Sequence, residues 1–173
     1  MNAALLRTSH LELRVADLAR SVKFYDDVFG FRPVGTDAAG RTFLGIDGAG
    51  EPVLALEAAA DANAPRQPVE PEPFIGMEHF AFELAPDDFE TLRAFYNRLV
   101  EVDAEIHHCI DHIITNSIYF LDPDRNLIEA YINCPRERFR GMEHPYGSLE
   151  DLEPALRGEK TPDWMAELAK ART

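Results

Sequence analysis

The sequence predicts an α+β fold built from two copies of a βαβββ unit, followed by a helical C-terminal extension. Two stretches of the chain resemble each other, HLELRVADLARSVKFYDDVFGF (residues 10–31) and HFAFELAPDDFETLRAFYNRLVEV (residues 79–102). Each opens with a histidine on an alternating apolar–polar segment, and each continues through an acidic turn into an amphipathic stretch that carries a Phe-Tyr pair. An internal repeat of this kind indicates a duplicated structural unit.

The first copy contains one strand, one helix and three further strands. Polar and apolar residues alternate over residues 10–15, which predicts a strand with one apolar face. Asp17 can cap the following helix and Gly30 can end it. The apolar residues at helical spacing are Leu18, Val22, Tyr25 and Phe29. The three further strands are RPVGTD (32–37), RTFLGID (41–47) and PVLALEA (52–58).

The second copy repeats this order from His79 onward. Its helix shows a clearer apolar stripe, formed by Phe89, Leu92, Phe95, Tyr96, Leu99 and Val100. Its later strands are AEIHHCI (104–110), NSIYFLD (116–122) and NLIEAYI (126–132). We therefore divide the single predicted domain, residues 1–173, into module one (8–58), a Pro- and Ala-rich linker (59–75), module two (76–133) and a tail (134–173).

The tail matches neither copy and reads as helical. Ser148 with Asp151 resembles a capping box before LEDLEPALRG (149–158), a helix that Pro154 should interrupt or kink. Thr161-Pro162 predicts the start of a second helix, which carries Trp164, Met165 and Leu168. We expect the tail to pack on the outside of the domain or over the mouth of a cavity.

Composition and charge exclude several function classes. The 173 residues are 46% hydrophobic and carry a formal net charge of −14, which opposes binding to nucleic acid or to an anionic membrane surface. No apolar run approaches the length of a membrane span, and the N-terminal apolar run is too short for a secretory signal, so a cytoplasmic location is expected. Cys109 and Cys134 alone do not make a disulfide framework.

Three residues at matching places in the repeat predict a metal site. His10 and His79 open the first strand of each copy, and Glu129 lies in the last strand of the second. If the two copies pair about a pseudo-twofold axis, these side chains can converge although they are distant in sequence. Two imidazoles and one carboxylate form the facial triad of non-haem iron(II) oxygenases, which leaves positions open for substrate and O₂.

Residues 8–133 resemble the glyoxalase, bleomycin-resistance and extradiol-dioxygenase superfamily, the vicinal oxygen chelate proteins. The opening of the first copy is similar to the start of that family, and SIYFLDPDRNLIEAY (117–131) is similar to its closing segment. The resemblance implies a U-shaped mixed sheet folded around a metal ion that His10, His79 and Glu129 hold. Arg125 stands where the family's turn has Gly, so a residue with positive φ and some strain is expected there.

Within that family, IDHIITNSIYFLDPDRNLIE (110–129) resembles the extradiol ring-cleavage signature. The resemblance implies an Fe(II)-dependent dioxygenase, with Mn(II) as a substitute ion, that cleaves a catechol-type ring with O₂. His112 is then the acid–base residue beside the open metal position, and Tyr119 forms a hydrogen bond to a substrate oxygen. A small aromatic substrate is the expected partner, and a homodimer is the expected assembly.

Two other functions remain open. Glu57, in the last strand of the first copy, occupies the place that Glu129 holds in the second. The resemblance to glyoxalase I and related epimerases, which use Ni, Zn or Co for proton transfer next to a carbonyl, implies that Glu57 would be a fourth ligand. A non-catalytic drug-binding protein of the bleomycin-resistance type is the other alternative, and it would suit a cationic ligand.

The histidine cluster HHCIDH also raises the possibility of a structural zinc site. Strand alternation places His107 and Cys109 on one face. His108 and His112 then lie on the other face, so neither face has enough ligands for a closed zinc site.

Overall fold

A computed structural model describes residues 9–66, 75–147 and 150–171 of the chain. The described residues form two units. The first contains those up to residue 66 together with the turn Pro123–Arg125, and the second contains the rest. None of the helices in the described ranges is long and apolar enough to cross a membrane.

The first unit is a four-stranded mixed sheet with one helix. Its strands follow the order β1-β4-β3-β2, in which β1 and β4 are parallel and the other pairs antiparallel. The elements are β1 (Leu11–Val15), α1 (Leu18–Phe29), β2 (Phe31–Thr36), β3 (Thr42–Ile46) and β4 (Leu54–Ala58). The predicted βαβββ order is therefore confirmed for the first copy.

Helix α1 begins and ends where the sequence predicts. The Asp17 carboxylate accepts a hydrogen bond from the Arg20 backbone N–H at 3.0 Å, which satisfies one of the unpaired donors of the first turn. Gly30 ends the helix at φ 72°, and its N–H donates to the Asp26 carbonyl at 2.8 Å. Between these caps Tyr25 is completely buried, which anchors the helix on the sheet.

The second unit repeats the architecture with the strand order β5-β8-β7-β6, and β5 and β8 form its parallel pair. The elements are β5 (Phe80–Glu83), α2 (Phe89–Glu101), β6 (Glu105–Asp111), β7 (Thr115–Leu121) and β8 (Leu127–Asn133). Leu92 and Leu99 of α2 are fully buried. Val100, which we assigned to the same apolar stripe, is 57% exposed, because it falls one position round the helix from the buried face.

The repetition extends to an irregularity of the backbone. In the first unit the pairing of β2 with β3 shifts register between Pro33 and Gly35. In the second unit the pairing of β6 with β7 shifts at the equivalent place, between Ile106 and His108. Such a bulge adds one residue to one strand and re-aims the side chains beside it. In the second unit that extra residue is His107.

The tail joins the sheet of the second unit. The Asp111 backbone N–H donates to the Glu150 carbonyl at 3.0 Å, and the Leu152 N–H donates to the Cys109 carbonyl at 3.0 Å, so the chain near residue 151 continues the sheet beyond β6. Leu152 is fully buried there. The tail therefore packs on a sheet edge and covers it.

The helices of the tail differ in part from the prediction. A 3₁₀ turn (Arg136–Arg138) is followed by α3 (Glu153–Leu156) and α4 (Asp163–Ala171). Helix α4 is confirmed. Helix α3 is shorter than predicted. It begins at Glu153, so Pro154 lies in its first turn, where a proline is tolerated, and does not kink a longer helix. The predicted capping residue Ser148 lies outside the described residues.

A buried ion pair fastens the tail to the end of β6. Arg138 donates through both terminal nitrogens to the Asp111 carboxylate, and the two side chains are 7% and 1% exposed. The Trp164 ring lies 5.1 Å from the Arg138 guanidinium, and its Nε1–H donates to the Asn116 side-chain oxygen at 3.0 Å. These contacts hold together the 3₁₀ turn, helix α4 and the hairpin formed by β6 and β7.

The turn between β7 and β8 contains the expected left-handed residue. Arg125 has φ 68°, and the Asp122 carboxylate accepts hydrogen bonds from the backbone and side-chain nitrogens of Asn126, both at 2.8 Å. These bonds fix the turn closely enough to hold a non-glycine residue in a conformation that costs roughly 1 kcal/mol. The prediction of positive φ at this position is confirmed.

Replacing Arg125 by glycine should stabilise the chain relative to replacing it by alanine. Both variants lose the same side chain, but only glycine relieves the left-handed strain, so the Gly variant should exceed the Ala variant by about 1 kcal/mol in free energy of unfolding. Urea denaturation measures this difference. Equal stabilities for the two variants would show that the turn is not strained.

The Trp164→Phe variant tests the docking of the tail. Asn116 is completely buried, so losing the indole donor leaves its side-chain oxygen unsatisfied, at an expected cost of about 1–3 kcal/mol. A double-mutant cycle with Asn116→Ala isolates this bond, because the second substitution should cost less once the first is present. Additive effects would contradict the coupling.

Candidate metal centre and active site

The second unit brings two of the three predicted metal ligands together. His79 directly precedes β5, Glu129 lies in β8, and the parallel pairing places Ala81 opposite Glu129. As a result the His79 Nε2 atom lies 3.2 Å from the Glu129 Oε2 atom. The Glu129 side chain is 12% exposed and the His79 side chain 32%, so the pair is accessible from one side.

This spacing fits two neighbouring ligands of one ion. Metal–nitrogen and metal–oxygen bonds of about 2.1 Å at a right angle place the two donor atoms roughly 3 Å apart. The donor types, an imidazole and a carboxylate, suit a divalent iron or manganese ion. The two groups are thus arranged as a ligand pair without further rearrangement.

Tyr119 stands against this pair. It faces Glu129 across the β7–β8 pairing and is 7% exposed. Its ring meets the His79 ring edge-on, with the centroids 5.3 Å apart. Burial raises the pKa of the Tyr119 phenol well above its usual range, and the charge of Glu129 and a hydrogen bond to it raise the pKa further. Tyr119 is therefore a neutral hydroxyl at any physiological pH.

His112 reaches Tyr119 from the hairpin turn between β6 and β7. Its Nε2 atom lies 3.1 Å from the Tyr119 hydroxyl oxygen. The two predicted catalytic residues and two predicted ligands thus form one continuous set of contacts, from His112 through Tyr119 and Glu129 to His79.

His10 belongs to the first unit. It directly precedes β1, its Nδ1 atom is 3.0 Å from the Ser9 hydroxyl, and its ring meets the edge of Phe43 at 6.0 Å. In the described part of either unit taken alone, no three His, Cys, Asp or Glu side chains converge as a metal site. The second unit supplies a pair, and the first unit supplies the single histidine.

Strand register identifies the true counterparts of the second-unit site. Glu129 pairs with Tyr119 and belongs to the second residue pair of the parallel strands β5 and β8. In the first unit the second pair of β1 and β4 contains Ala55, which pairs with Phe43. The assignment of Glu57 as the counterpart of Glu129 is therefore wrong by two residues. The first unit keeps the histidine and its edge contact with an aromatic ring, but it has no carboxylate at the equivalent position.

Glu57 has a different partner. Its Oε2 atom accepts a hydrogen bond from Arg14 Nε at 3.1 Å, within an ion pair whose side chains are 29% and 78% exposed. Arg14 is the residue opposite Glu57 in the β1–β4 pairing, so the contact is the ordinary cross-strand pair of opposite charges.

The bulge in β6 changes the predicted faces of the histidine cluster. Strict alternation would separate His107 from His108, but the extra residue lets their Nδ1 atoms meet at 2.5 Å. His108 in turn stacks on Tyr119 with centroids 4.3 Å apart. Cys109 is buried, which raises the pKa of its thiol to about 12.

Sequence reasoning missed His108 as a wall of the site and the tail as a neighbour of His112. The stacking of His108 depends on the bulge, which strand alternation cannot reveal. The Gly147 carbonyl lies 3.0 Å from His112 Nδ1, and no pattern around Gly147 signals this contact.

The elevated Tyr119 pKa yields a prediction for the metal-free chain. Glu129→Gln should lower the pKa of Tyr119, because it removes the charge and alters the hydrogen bond that help to raise it. Glu78→Gln is the matched control and should lower this pKa less, because Glu78 acts on the phenol through its charge alone and forms no hydrogen bond with it. Ultraviolet titration of tyrosinate, with Tyr119→Phe as the reference, measures both. A larger shift in the control would refute the assignment.

Comparison with known proteins agrees with this architecture. A family model described as the Glyoxalase/Bleomycin resistance protein/Dioxygenase superfamily matches residues 7–130. The catechol-2,3-dioxygenase of Bacillus subtilis is 35% identical over 133 residues, which are 76% of this chain and 43% of that protein. The metallothiol transferase FosB of Lysinibacillus sphaericus is 26% identical over 132 residues, 75% of this chain and 84% of that protein. The chain thus spans less than half the length of the dioxygenase.

Solved structures with the same fold include fosfomycin resistance proteins. FosX from Listeria monocytogenes superimposes with a TM-score of 0.60 at 21% identity, covering 81% of this chain and 99% of that one. A FosX variant complexed with Mn(II) and 1S,2S-dihydroxypropylphosphonic acid gives a TM-score of 0.57 at 20% identity, covering 81% and 98%. At these identities the likeness concerns the fold. With its two βαβββ units and the family match over most of its length, the chain belongs to the glyoxalase/bleomycin resistance protein/dioxygenase superfamily.

Proposed function

We propose that the chain is an Fe(II)-dependent extradiol dioxygenase that cleaves a catechol-type ring with O₂. The observation that carries the proposal is the contact of His112 Nε2 with the Tyr119 hydroxyl at 3.1 Å, beside the His79–Glu129 pair. An acid–base histidine next to a neutral phenol and a ligand pair is what this reaction needs. The 35% identity with the Bacillus subtilis catechol-2,3-dioxygenase supports it.

In this proposal His79, Glu129 and His10 hold the metal ion. His10 is included because it is the register equivalent of His79 and keeps the same edge contact with an aromatic ring. A bound Fe(II) would supply coordination for the two catechol oxygens and one-electron chemistry with O₂. Mn(II) is a reasonable substitute, since both ions accept imidazole and carboxylate ligands.

The protein's own groups then handle the protons. His112 accepts a proton from the catechol and returns it to the ring-opened product. Tyr119 remains protonated, because burial and Glu129 hold its pKa high, so its hydroxyl can donate a hydrogen bond to a substrate oxygen. The half-buried wall of His108 and His79 around Tyr119 suits a flat aromatic substrate, which can stack on such rings.

The glyoxalase-like alternative receives less support. It needs a carboxylate from each copy of the repeat, but Ala55 occupies the position equivalent to Glu129. Glu57 is held by Arg14 on a partly exposed strand position. A ligand set of two histidines and one glutamate is therefore favoured over a set of four ligands.

A second candidate is the activity of the fosfomycin-resistance relatives. It is favoured by length, because the matched region is 84% of FosB of Lysinibacillus sphaericus but only 43% of the dioxygenase. Charge argues against it. The FosX ligand is a phosphonic acid, and a net charge of −14 repels an anionic substrate.

Oxygen uptake separates the two candidates. The anaerobically purified Fe(II)-loaded chain should consume O₂ and form a yellow product with 2,3-dihydroxybiphenyl or a simpler catechol. His112→Ala should lower the rate by about 10²–10⁴-fold, because the proton acceptor is lost. The matched control is His144→Ala, at a side chain that is 87% exposed, and it should keep the wild-type rate. Loss of fosfomycin in the presence of Mn(II), without any O₂ uptake on catechols, would replace the dioxygenase by the second candidate.

Metal affinity separates the two ligand sets. Glu129→Gln should weaken Fe(II) or Mn(II) binding by more than about a hundredfold, which exceeds the usual effect of losing an outer-shell partner. Glu57→Gln should leave the affinity unchanged. Isothermal titration calorimetry with Mn²⁺ measures both, and an equal loss in the two variants would favour the four-ligand, glyoxalase-like site.

A further inference from the structure

We propose that the C-terminal extension, residues 134–171, is a positioning element of the active site that fixes the ring orientation and tautomer of His112. The role of His112 in catalysis rests on the proposed function, but its placement by the extension can be tested separately. The inference rests on two sets of contacts, one on the imidazole ring and one on the backbone turn that carries it.

The first contact determines where the imidazole proton lies. The Gly147 carbonyl oxygen is 3.0 Å from His112 Nδ1. A carbonyl can only accept, so Nδ1 must carry the hydrogen. In the neutral ring Nε2 is then an acceptor, and it lies 3.1 Å from the Tyr119 hydroxyl, whose single hydrogen can bond either Nε2 or Glu129. The Gly147 carbonyl thereby directs the basic nitrogen into the site.

The opposite tautomer would disable this arrangement. With the hydrogen on Nε2, a neutral His112 would be a donor toward Tyr119 and could not accept a proton there. Its Nδ1 lone pair would also face the lone pairs of the Gly147 carbonyl. One hydrogen bond of ordinary strength favours the Nδ1-protonated tautomer by about fivefold, and the repulsion it avoids adds to this preference.

The second set of contacts holds the turn itself. Ile113, next to His112, has φ 72°, a left-handed conformation that is rare for a β-branched residue and costs about 1–3 kcal/mol. Such a residue persists only where its surroundings hold it. The Ile113 N–H donates to the Asp111 carboxylate at 2.8 Å, and its carbonyl accepts from Arg138 at 3.0 Å.

Several parts of the extension hold this turn. Arg138 comes from the 3₁₀ turn and also forms the buried ion pair with Asp111. Tyr146 forms an isolated antiparallel bridge with Ile113, one residue before the Gly147 carbonyl that contacts His112. Trp164 of α4 covers the Arg138 guanidinium. The strained turn and the imidazole that it carries therefore depend on residues outside both copies of the repeat.

Nitrogen NMR of the 173-residue chain tests the proposal directly. The ¹⁵N-labelled protein, prepared metal-free and again with diamagnetic Zn²⁺, is recorded at about pH 8.5, where an ordinary imidazole is neutral. The His112 signals, assigned by their loss in His112→Gln, should show a protonated Nδ1 and an unprotonated Nε2 with at least about a fivefold excess of this tautomer. His144, whose side chain is 87% exposed and whose Nε2 atom lies 3.9 Å from the Glu143 carboxylate, serves as the internal control and should show no comparable excess of the tautomer with a protonated Nδ1.

Two variants separate the sources of the effect. Tyr119→Phe removes the partner of Nε2 but leaves the Gly147 carbonyl, so the His112 tautomer should persist. Arg138→Lys keeps a positive charge but cannot reproduce the planar fork, so the His112 signals should move toward those of His144 while the remaining spectrum stays dispersed.

Three results would overturn the proposal. They are a His112 spectrum that matches His144 in the wild type, loss of the tautomer in Tyr119→Phe, and an unchanged His112 in Arg138→Lys. Because these measurements need neither iron nor catechol, their outcome is independent of the proposed activity. A chain that shows the expected tautomer but no oxygen uptake would keep this inference and lose the dioxygenase.

Discussion

The parallel pairing of the first and last strands of each unit is the constraint on which the rest of the structure depends. A βαβββ segment closes only when its fourth strand lies beside its first, and this pairing joins β5 to β8 across nearly fifty residues of chain. His79 and Glu129 meet because they lie near the same end of those two strands. The two residues share neither a strand nor a hairpin, so only that pairing brings them together and no local sequence rule would do so.

Duplication supplies the scaffold, and divergence between the copies supplies the chemistry. Both units have the same strand order, the same parallel closure and a register shift at the same place. Within that shared frame Phe43 and Ala55 of the first unit correspond to Tyr119 and Glu129 of the second. The first unit keeps only apolar groups at these two positions. At these two positions, therefore, only the second copy carries titratable groups.

Much of the fold could be predicted from the sequence because its signals are local. The Asp17 cap, the Gly30 stop and the positive φ of Arg125 each depend on a few neighbouring residues, and all three agree with the structure. The prediction that Glu57 is the counterpart of Glu129 is wrong, because strand register depends on pairing across the sheet. A shift of two residues keeps the same face, so alternation alone cannot distinguish Ala55 from Glu57.

The candidate site shows the same division between local and long-range information. His112 and Tyr119 lie seven residues apart on one hairpin, and their proximity follows from the two strands that carry them. The bulge that turns His108 onto Tyr119 adds one residue at a position without a distinctive sequence signal. The contact with Gly147 joins residues thirty-five apart through a tail that matches neither copy. Such a contact becomes visible only once the tail is seen to continue the sheet.

The buried Asp111–Arg138 pair fits better as a device for geometry than as a source of stability. Taking two charges out of water costs most of what their attraction returns, so apolar residues of similar volume would often stabilise as well. What apolar residues cannot do is hold a left-handed Ile113 by its N–H and its carbonyl at once. The pair lies one residue from His112, where a small displacement of the turn would move Nε2 away from Tyr119. Its location therefore favours a role in orienting the base, since a pair kept only for stability could lie anywhere along the tail.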